Sequence, residues 1–84
     1  MREVTVTLIG KPGCHLCEQA LAAIRPVLEE TEVAFKELSL LDDPRLMAEY
    51  SEDIPVILIN DKVHDFLRVD PDRLRAAIIK AQVR

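Results

Sequence analysis

The spacing of hydrophobic and polar residues changes several times along this chain, and each change predicts a new element. Near the N-terminus, apolar residues alternate with threonine from Val4 to Leu8, which predicts a β-strand. From Leu16 to about Glu30, apolar residues recur every three or four positions, which predicts an amphipathic helix. Pro26 lies inside this helix and removes one backbone hydrogen bond, so we expect a kink there. The residues predicted to form the buried face are Leu16, Ala20, Ala23, Ile24 and Val27.

The middle of the chain predicts a second strand followed by a short helix. The strand lies in "EVAFKELSL", with Val33 and Phe35 on one face. The helix lies in "DDPRLMAEYSE", where Asp43 is suited to cap the first turn and Pro44 to occupy the first helical position.

The last third of the chain predicts a strand pair and a final helix. Val56–Ile59, within "IPVILIN", is an unbroken apolar run, which is typical of a strand covered on both faces. The turn residues "NDK" follow, so "VHDFL" is predicted to pair antiparallel with that strand. Asp70 and Pro71 then mark the start of a helix, as Asp43 and Pro44 do. Its predicted buried stripe is Leu74, Ala77, Ile78 and Ala81.

These elements occur in the order βαβαββα, which predicts an α/β fold. A right-handed crossover between the first two strands makes them parallel neighbours. The expected sheet is four-stranded and mixed, with strand order 2-1-3-4 and helices on both faces. A chain of 84 residues is too short for a second core, so we expect one domain over residues 1–84.

Composition and charge indicate which binding partners and which cellular compartment to expect. Hydrophobic residues make up 49% of the chain and charged residues 31%, an ordinary balance for a globular protein. The net charge of −4 argues against nucleic acid or an anionic membrane as the main partner. The N-terminus lacks the pattern of a signal peptide, and no apolar run approaches the roughly 20 residues that span a bilayer. We therefore expect a cytoplasmic monomer.

The reactive side chains are concentrated in "KPGCHLCEQA", which contains the only two cysteines, Cys14 and Cys17. They are candidates for a redox couple, half of a metal site or a structural disulfide. A disulfide over so short a loop adds little stability through chain entropy, and cytosolic disulfides are usually transient and catalytic. A structural zinc site usually has four protein ligands. Beside the two cysteines, only His15 and His64 could supply the other two, and they are poorly spaced for this. Haem attachment needs a histidine directly after the second cysteine, and Glu18 stands there.

A redox couple fits the position of the two cysteines best. Cys14 stands at the predicted N-terminus of a helix, where free N–H groups and the helix dipole favour a thiolate. Lys11 and His15 place further positive charge nearby. Cys17 follows one turn later on the same face, a spacing that suits a disulfide. We predict that Cys14 attacks a substrate disulfide and that Cys17 resolves the mixed disulfide. The alternative is a non-catalytic docking module or a redox sensor, which needs no such reaction.

The element order and the position of the cysteine pair resemble the thioredoxin superfamily, and more closely glutaredoxin and the small glutaredoxin-like proteins of bacteria. The resemblance is carried by "KPGCHLC" after the first strand, by "IPVILIN", and by the ending of two strands and a helix. It implies a cis peptide bond before Pro55, which exposes the backbone of Ile54 to an extended substrate. It also implies that Lys11 contacts a thiol substrate. An iron–sulfur cluster shared between two chains, known in glutaredoxin relatives, is a further alternative.

The chain departs from the family pattern in the region that binds glutathione in glutaredoxins. Glutaredoxins usually carry a Gly-Gly pair after the third strand, which lets the backbone approach the tripeptide. Here His64, Asp65 and Phe66 stand in that region, and no glycine follows Gly13. These side chains are expected to crowd glutathione, and the carboxylate of Asp65 to repel it. We expect no tightly bound cofactor or metal, little glutathione-dependent activity, and a reductase or dedicated protein partner as electron source. The expected substrate is a disulfide-containing protein or a small thiol compound.

Overall fold

A computed structural model describes residues 2–83 and contains the elements in the predicted order. One 3₁₀ turn, Leu40–Asp42, lies between the second strand and the second helix and was not predicted. The strands and helices are β1 (Thr5–Gly10), α1 (His15–Thr31), β2 (Ala34–Ser39), α2 (Pro44–Tyr50), β3 (Val56–Ile59), β4 (Lys62–Phe66) and α3 (Pro71–Gln82).

The four strands form one mixed sheet in the order β2-β1-β3-β4, which confirms the predicted topology. β2 is parallel to β1, and the other two pairings are antiparallel. Within the central pair, Ile9 is opposite Val56. Because of this register, the loop that follows β1 and the residues that precede β3 lie at the same end of the sheet.

Side-chain caps define where the helices begin. Asp43 accepts a hydrogen bond from the Arg45 N–H at 2.9 Å, and Asp70 accepts one from the Asp72 N–H at 2.9 Å. Each cap satisfies an N–H group that has no partner within its helix. Helix α1 continues past Pro26 to Thr31, and the kink expected at Pro26 stays a prediction.

Buried apolar residues form a core on each face of the sheet, so helices cover both faces as predicted. Leu8 and Ile57 are paired across β1 and β3 and pack towards α1 and α3. Their neighbours Ile9 and Val56 point the other way, where Leu46 of α2 packs against them. The first core contains Val4, Val6, Leu8, Ala20, Ile24, Val27, Ile57, Leu74 and Ile78, and the second contains Ile9, Cys17, Leu40, Ile54 and Val56. Each fully buried aliphatic side chain contributes roughly 1.5–3 kcal/mol.

Three details of the predicted burial are wrong, and the first is that Ala77 and Ala81 of the predicted stripe on α3 are only half-buried. Leu16 is 43% exposed because a loop and an open groove, rather than a strand, face the first turn of α1. In β3, Val56 and Ile57 are buried, but Leu58 and Ile59 are only half-buried. Helix α2 has only seven residues and leaves Leu58 on its face partly uncovered, whereas Ile59 packs against the core on the opposite face.

Candidate active site

Cys14 is the N-cap of α1, with extended backbone at φ −86° and ψ 111°. Its Sγ accepts a hydrogen bond from the Cys17 N–H at 3.2 Å, so one of the free N–H groups at the start of the helix points at this sulfur. The two sulfurs are joined in a disulfide, and the two Cα atoms are 5.2 Å apart. The predicted placement of both cysteines at the start of the helix is therefore confirmed.

The two sulfurs differ in their access to solvent. Cys14 is half-buried, whereas Cys17 is only 8% exposed and belongs to the second core beside Ile9 and Ile54. Cys14 is therefore the more accessible of the two cysteines. The greater exposure of Cys14 is as predicted, and its lower pKa stays a prediction.

Gly10, the last residue of β1, lies directly beneath Cys17 and was not singled out from the sequence. A Cβ atom on Gly10 would lie 2.8 Å from the Cys17 Sγ and 3.2 Å from the Cys17 Cβ. Real Cβ contacts are essentially never shorter than 3.0 Å, so Cys17 occupies space that only glycine leaves free. The contact could have been predicted from the sequence, because a glycine stands at the end of the strand just before the cysteine pair.

The peptide bond between Ile54 and Pro55 is cis, as the family resemblance implies. Both residues are buried, and Ile54 shares a core with Cys17. The N–H of Leu67, just after β4, donates to the carbonyl oxygen of Pro55 at 2.8 Å and to that of Asp53 at 3.2 Å. The loop after β4 is thereby fastened beside the cysteine pair.

Lys11 lies in a groove of about 350 Å³ that also borders both cysteines, which we call the Lys11 groove. The charged residues that line it are Lys11, Glu18, Glu37 and Asp42. Three carboxylates thus outnumber one ammonium, so the positive surroundings expected of Cys14 do not extend to this side. His15 is exposed on the first turn of α1. The Cys17 N–H of that turn is the hydrogen-bond donor that the Cys14 sulfur has in the described range, residues 2–83.

A second groove, of about 400 Å³, borders α1 and the loop after β4, and we call it the Leu67 groove. It is lined by Leu16, Gln19, Ala20, Ala23, Leu67, Arg68 and Val69. Asp65 and Phe66 are not in its lining, and Asp65 instead pairs with Arg73 at 3.2 Å. The carboxylate charge of Asp65 is partly neutralised by Arg73, and the crowding of glutathione expected from Asp65 and Phe66 stays a prediction.

His64 lines a different cleft, together with Asn60 of the β3–β4 turn and Lys62, the first residue of β4. Within residues 2–83, no three or more His, Cys, Asp or Glu side chains come together in an arrangement that could hold a metal ion. None of the helices described over that range is both long enough and apolar enough to cross a membrane.

The family model described as glutaredoxin-like domain (DUF836) matches residues 5–79. The chain belongs to this family. A glutaredoxin-like protein of Dictyostelium discoideum, named as the YDR286C homolog, is 25% identical over 79 residues, covering 87% of this chain and 73% of that protein.

Two solved structures show that the glutaredoxin-like chain has the thioredoxin fold. The NMR structure of protein Ne2328 from Nitrosomonas europaea has a TM-score of 0.79 at 23% identity, covering 92% of this chain and 93% of that chain. Chloroplastic thioredoxin z also has a TM-score of 0.79, at 13% identity, covering 98% of this chain and 80% of that chain. At such low identities, the likeness concerns the fold, and the chemistry has to be argued from the cysteines themselves.

Proposed function

We propose that this glutaredoxin-like protein is a dithiol–disulfide oxidoreductase in which Cys14 attacks and Cys17 resolves. The observation that carries the proposal is the contact of the half-buried Cys14 Sγ with the Cys17 N–H at 3.2 Å, above a buried Cys17 sulfur. An N–H group at a helix N-terminus stabilises a thiolate more than a thiol. The reduced protein is therefore expected to carry its negative charge on Cys14.

The reaction consists of two exchanges of sulfur partners. The Cys14 thiolate attacks one sulfur of the substrate disulfide, and the other substrate sulfur leaves as a thiolate and takes a proton from water. Cys17, once deprotonated, then attacks the Cys14 sulfur and releases the second substrate thiol. The substrate gains two electrons and two protons, and the protein keeps the Cys14–Cys17 disulfide. A dithiol or two monothiols must return those electrons before the next turnover.

The remaining predicted site residues are assigned to substrate binding in this proposal. The backbone of Ile54, before cis-Pro55, pairs with an extended segment on either side of the substrate cysteine. Lys11, in the groove beside both sulfurs, meets a carboxylate of the substrate. His15, exposed on the first turn of α1, lies at the edge of the same surface. We also propose that the protein works as a monomer in the cytoplasm, where thiols are kept reduced.

Single-cysteine variants test the order of attack. Cys17→Ser is expected to retain attack and to accumulate a stable mixed disulfide on Cys14, because no second thiol resolves it. Cys14→Ser is the matched control and should lose disulfide reduction almost completely. The measurement is insulin reduction with dithiothreitol as donor, together with mass spectrometry of the trapped adduct. An adduct formed on Cys17 would reverse the assignment, and wild-type protein without insulin reduction would favour a docking module or a sensor.

The proposed electron donor is a reductase or a protein dithiol rather than glutathione. The support is that no glycine follows Gly13, so the loop after β4 presents the Leu67 side chain to the Leu67 groove instead of bare backbone. Leu16 and Leu67 are 43% and 41% exposed at this position, and an apolar surface is a poor partner for the charged γ-glutamyl end of glutathione.

A comparison of two donor systems tests this part of the proposal. Turnover of a small disulfide should be fast with NADPH and a thioredoxin reductase, and slow with glutathione and its reductase. The same protein sample and the same substrate are used in both arms, with dithiothreitol as a positive control for active protein. Efficient turnover with glutathione alone would show that the side chains of this groove do not prevent its use.

A further inference from the structure

Leu67 adopts a backbone conformation that leucine rarely accepts. Its φ is 66°, and the Arg68 N–H donates to the carbonyl oxygen of Phe66 at 2.7 Å, two residues earlier in the chain. Leu67 is thus the central residue of a three-residue γ-turn with positive φ, which is the rarer and more strained form. Glycine would adopt the same turn without a steric penalty.

Packing of the Leu67 side chain does not account for this strain. The residue is 41% exposed and borders an open groove rather than either core. Its N–H group, which donates to Pro55 and Asp53, would be equally available from glycine. Folding therefore gains little from a leucine here, and strained residues of this kind cluster at functional sites.

The Leu67 groove begins at the first turn of α1, next to the reactive pair, although neither cysteine is in its lining. Leu16, which stands between the two cysteines in the sequence, lines the same groove and is 43% exposed. The carbonyl oxygen that accepts from Leu67 belongs to cis-Pro55, whose neighbour Ile54 packs with Cys17. Leu16 thus connects the cysteine pair to this groove, and Leu67 borders the groove from the loop after β4.

The charge of the groove limits what can occupy it. Arg68 is the one charged residue in its lining, and it forms no ion pair with any residue in the range 2–83. The Lys11 groove, in contrast, is lined by Glu18, Glu37 and Asp42. An occupant with an apolar group and a nearby negative charge is therefore favoured in the Leu67 groove and opposed in the other.

We propose that Leu67, together with Leu16, determines specificity for protein disulfides in which an apolar residue is adjacent to the reactive cysteine and an acidic residue follows nearby. This inference rests on the proposed disulfide reduction at Cys14. The apolar side chain lies between the two leucines, and the carboxylate meets Arg68. Leu67 is a specificity residue that touches the substrate and takes no part in the sulfur exchange.

Peptide mixed disulfides test the apolar contact. Two peptides carry their single cysteine as a mixed disulfide with thionitrobenzoate and differ only in leucine or glycine beside that cysteine. The reduced wild-type protein should release thionitrobenzoate from the leucine peptide about tenfold faster. Leu67→Gly should abolish most of this preference without losing stability, because glycine relieves the strained turn. The rate of each variant with the symmetric thionitrobenzoate dimer, which has no peptide, is measured as well and used to normalise its peptide rates.

Two control variants separate the side chain from the backbone. Leu67→Met retains an apolar side chain and should retain the preference for the leucine peptide. Glu32→Gly replaces another residue with positive φ, 54°, at the C-terminal end of α1, and should leave the preference intact. Loss of the preference in Glu32→Gly would show that altered stability, not contact, is responsible.

The acidic residue is tested with a second peptide pair that carries glutamate or lysine two positions beyond the leucine. The wild-type protein should favour the glutamate peptide by about two- to fivefold, as expected for an exposed ion pair. Arg68→Gln should remove this difference. Arg45→Gln, which alters an arginine that is 93% exposed on α2, should not.

The outcomes distinguish this inference from the proposed function. A wild-type protein that fails to react even with the thionitrobenzoate dimer would overturn both. Normal reaction with the dimer but equal rates with the leucine and glycine peptides would overturn only the role of Leu67. The glutathione mixed disulfide should react like the glycine peptide. A faster reaction than with the leucine peptide would identify the groove as a glutathione site and contradict the inference.

Discussion

Gly10 is the residue on which the position of the Cys17 sulfur depends most directly. A Cβ atom there would come within 2.8 Å of that sulfur. Cys17 cannot easily move away, because it is buried at 8% exposure and bonded to Cys14. The missing side chain at Gly10 therefore allows the first turn of α1 to pack closely against the end of β1.

Replacement of Gly10 by alanine tests this close approach. Gly10→Ala is expected to lower the free energy of unfolding of the oxidised protein by about 1–3 kcal/mol, as for other overpacked sites. It should also slow the second sulfur exchange, because Cys17 is displaced from Cys14. Urea denaturation and the lifetime of the mixed disulfide measure the two effects.

Gly13→Ala provides a contrasting control for Gly10→Ala. Gly13 has φ +74°, and a Cβ atom there would meet nothing within 4 Å. Its replacement is expected to cost about 1–2 kcal/mol through backbone strain alone. The two variants should thus be destabilised for different reasons, and only Gly10→Ala should slow the resolving step. An unchanged unfolding free energy in Gly10→Ala would contradict the proposed contact.

At the scale of a single element, β4 contains an irregularity that buries part of a histidine. Leu58 is opposite Val63, whereas Ile57 is opposite Asp65, so His64 is an extra residue in a β-bulge. Its Nε2 is buried, and no residue in the range 2–83 provides a hydrogen-bond partner. Burial lowers the pKa of His64 below its ordinary value of 6.5, and the charge of Arg73 adds to this effect, although Asp65 opposes it.

The partly buried His64 makes the free energy of unfolding depend on pH. The folded state binds the His64 proton less tightly than the unfolded state does. The stability that the neutral His64 contributes is therefore fully present above pH 6.5. That contribution is lost as the pH falls through 6.5 towards the lower pKa of the folded state. His64→Gln is expected to reduce the loss of unfolding free energy over this range, measured by urea denaturation at a series of pH values. Identical pH profiles for the variant and the wild type would show that His64 is solvated like a free histidine.

At the scale of the whole molecule, two grooves of different character begin at the first turn of α1. The Lys11 groove is mainly acidic, and the Leu67 groove is apolar with a single arginine, Arg68. In the proposed reaction, a substrate with charge on one side of its cysteine is therefore expected to have a preferred orientation. This asymmetry arises because β2 and the loop after β4 approach α1 from opposite sides, and each contributes its own side chains.

The parts of the fold that could be predicted are those whose signals involve only neighbouring residues. The caps Asp43 and Asp70 and the apolar run Val56–Ile59 act over one turn of helix or one strand, so neighbouring residues are enough to interpret them. Leu16 was assigned to the buried face because helical periodicity identifies a face but not what covers it. The same limit explains why Leu58 and Ile59 were expected to be covered and are only half-buried.

The cysteine pair and its helix N-terminus were determined by the sequence alone, because Cys14 and Cys17 are separated by a single helical turn. The contact of Gly10 with Cys17 joins the end of a strand to the inner face of a helix, and its distance exists only after the two have packed. The positive φ of Leu67 likewise arises where the end of β4 is held by hydrogen bonds to carbonyl groups before β3. Sequence patterns carry information over a turn or a strand, whereas the grooves beside the cysteine pair are assembled from segments far apart in the chain. Only the tertiary structure therefore decided which side chains surround the reactive sulfur.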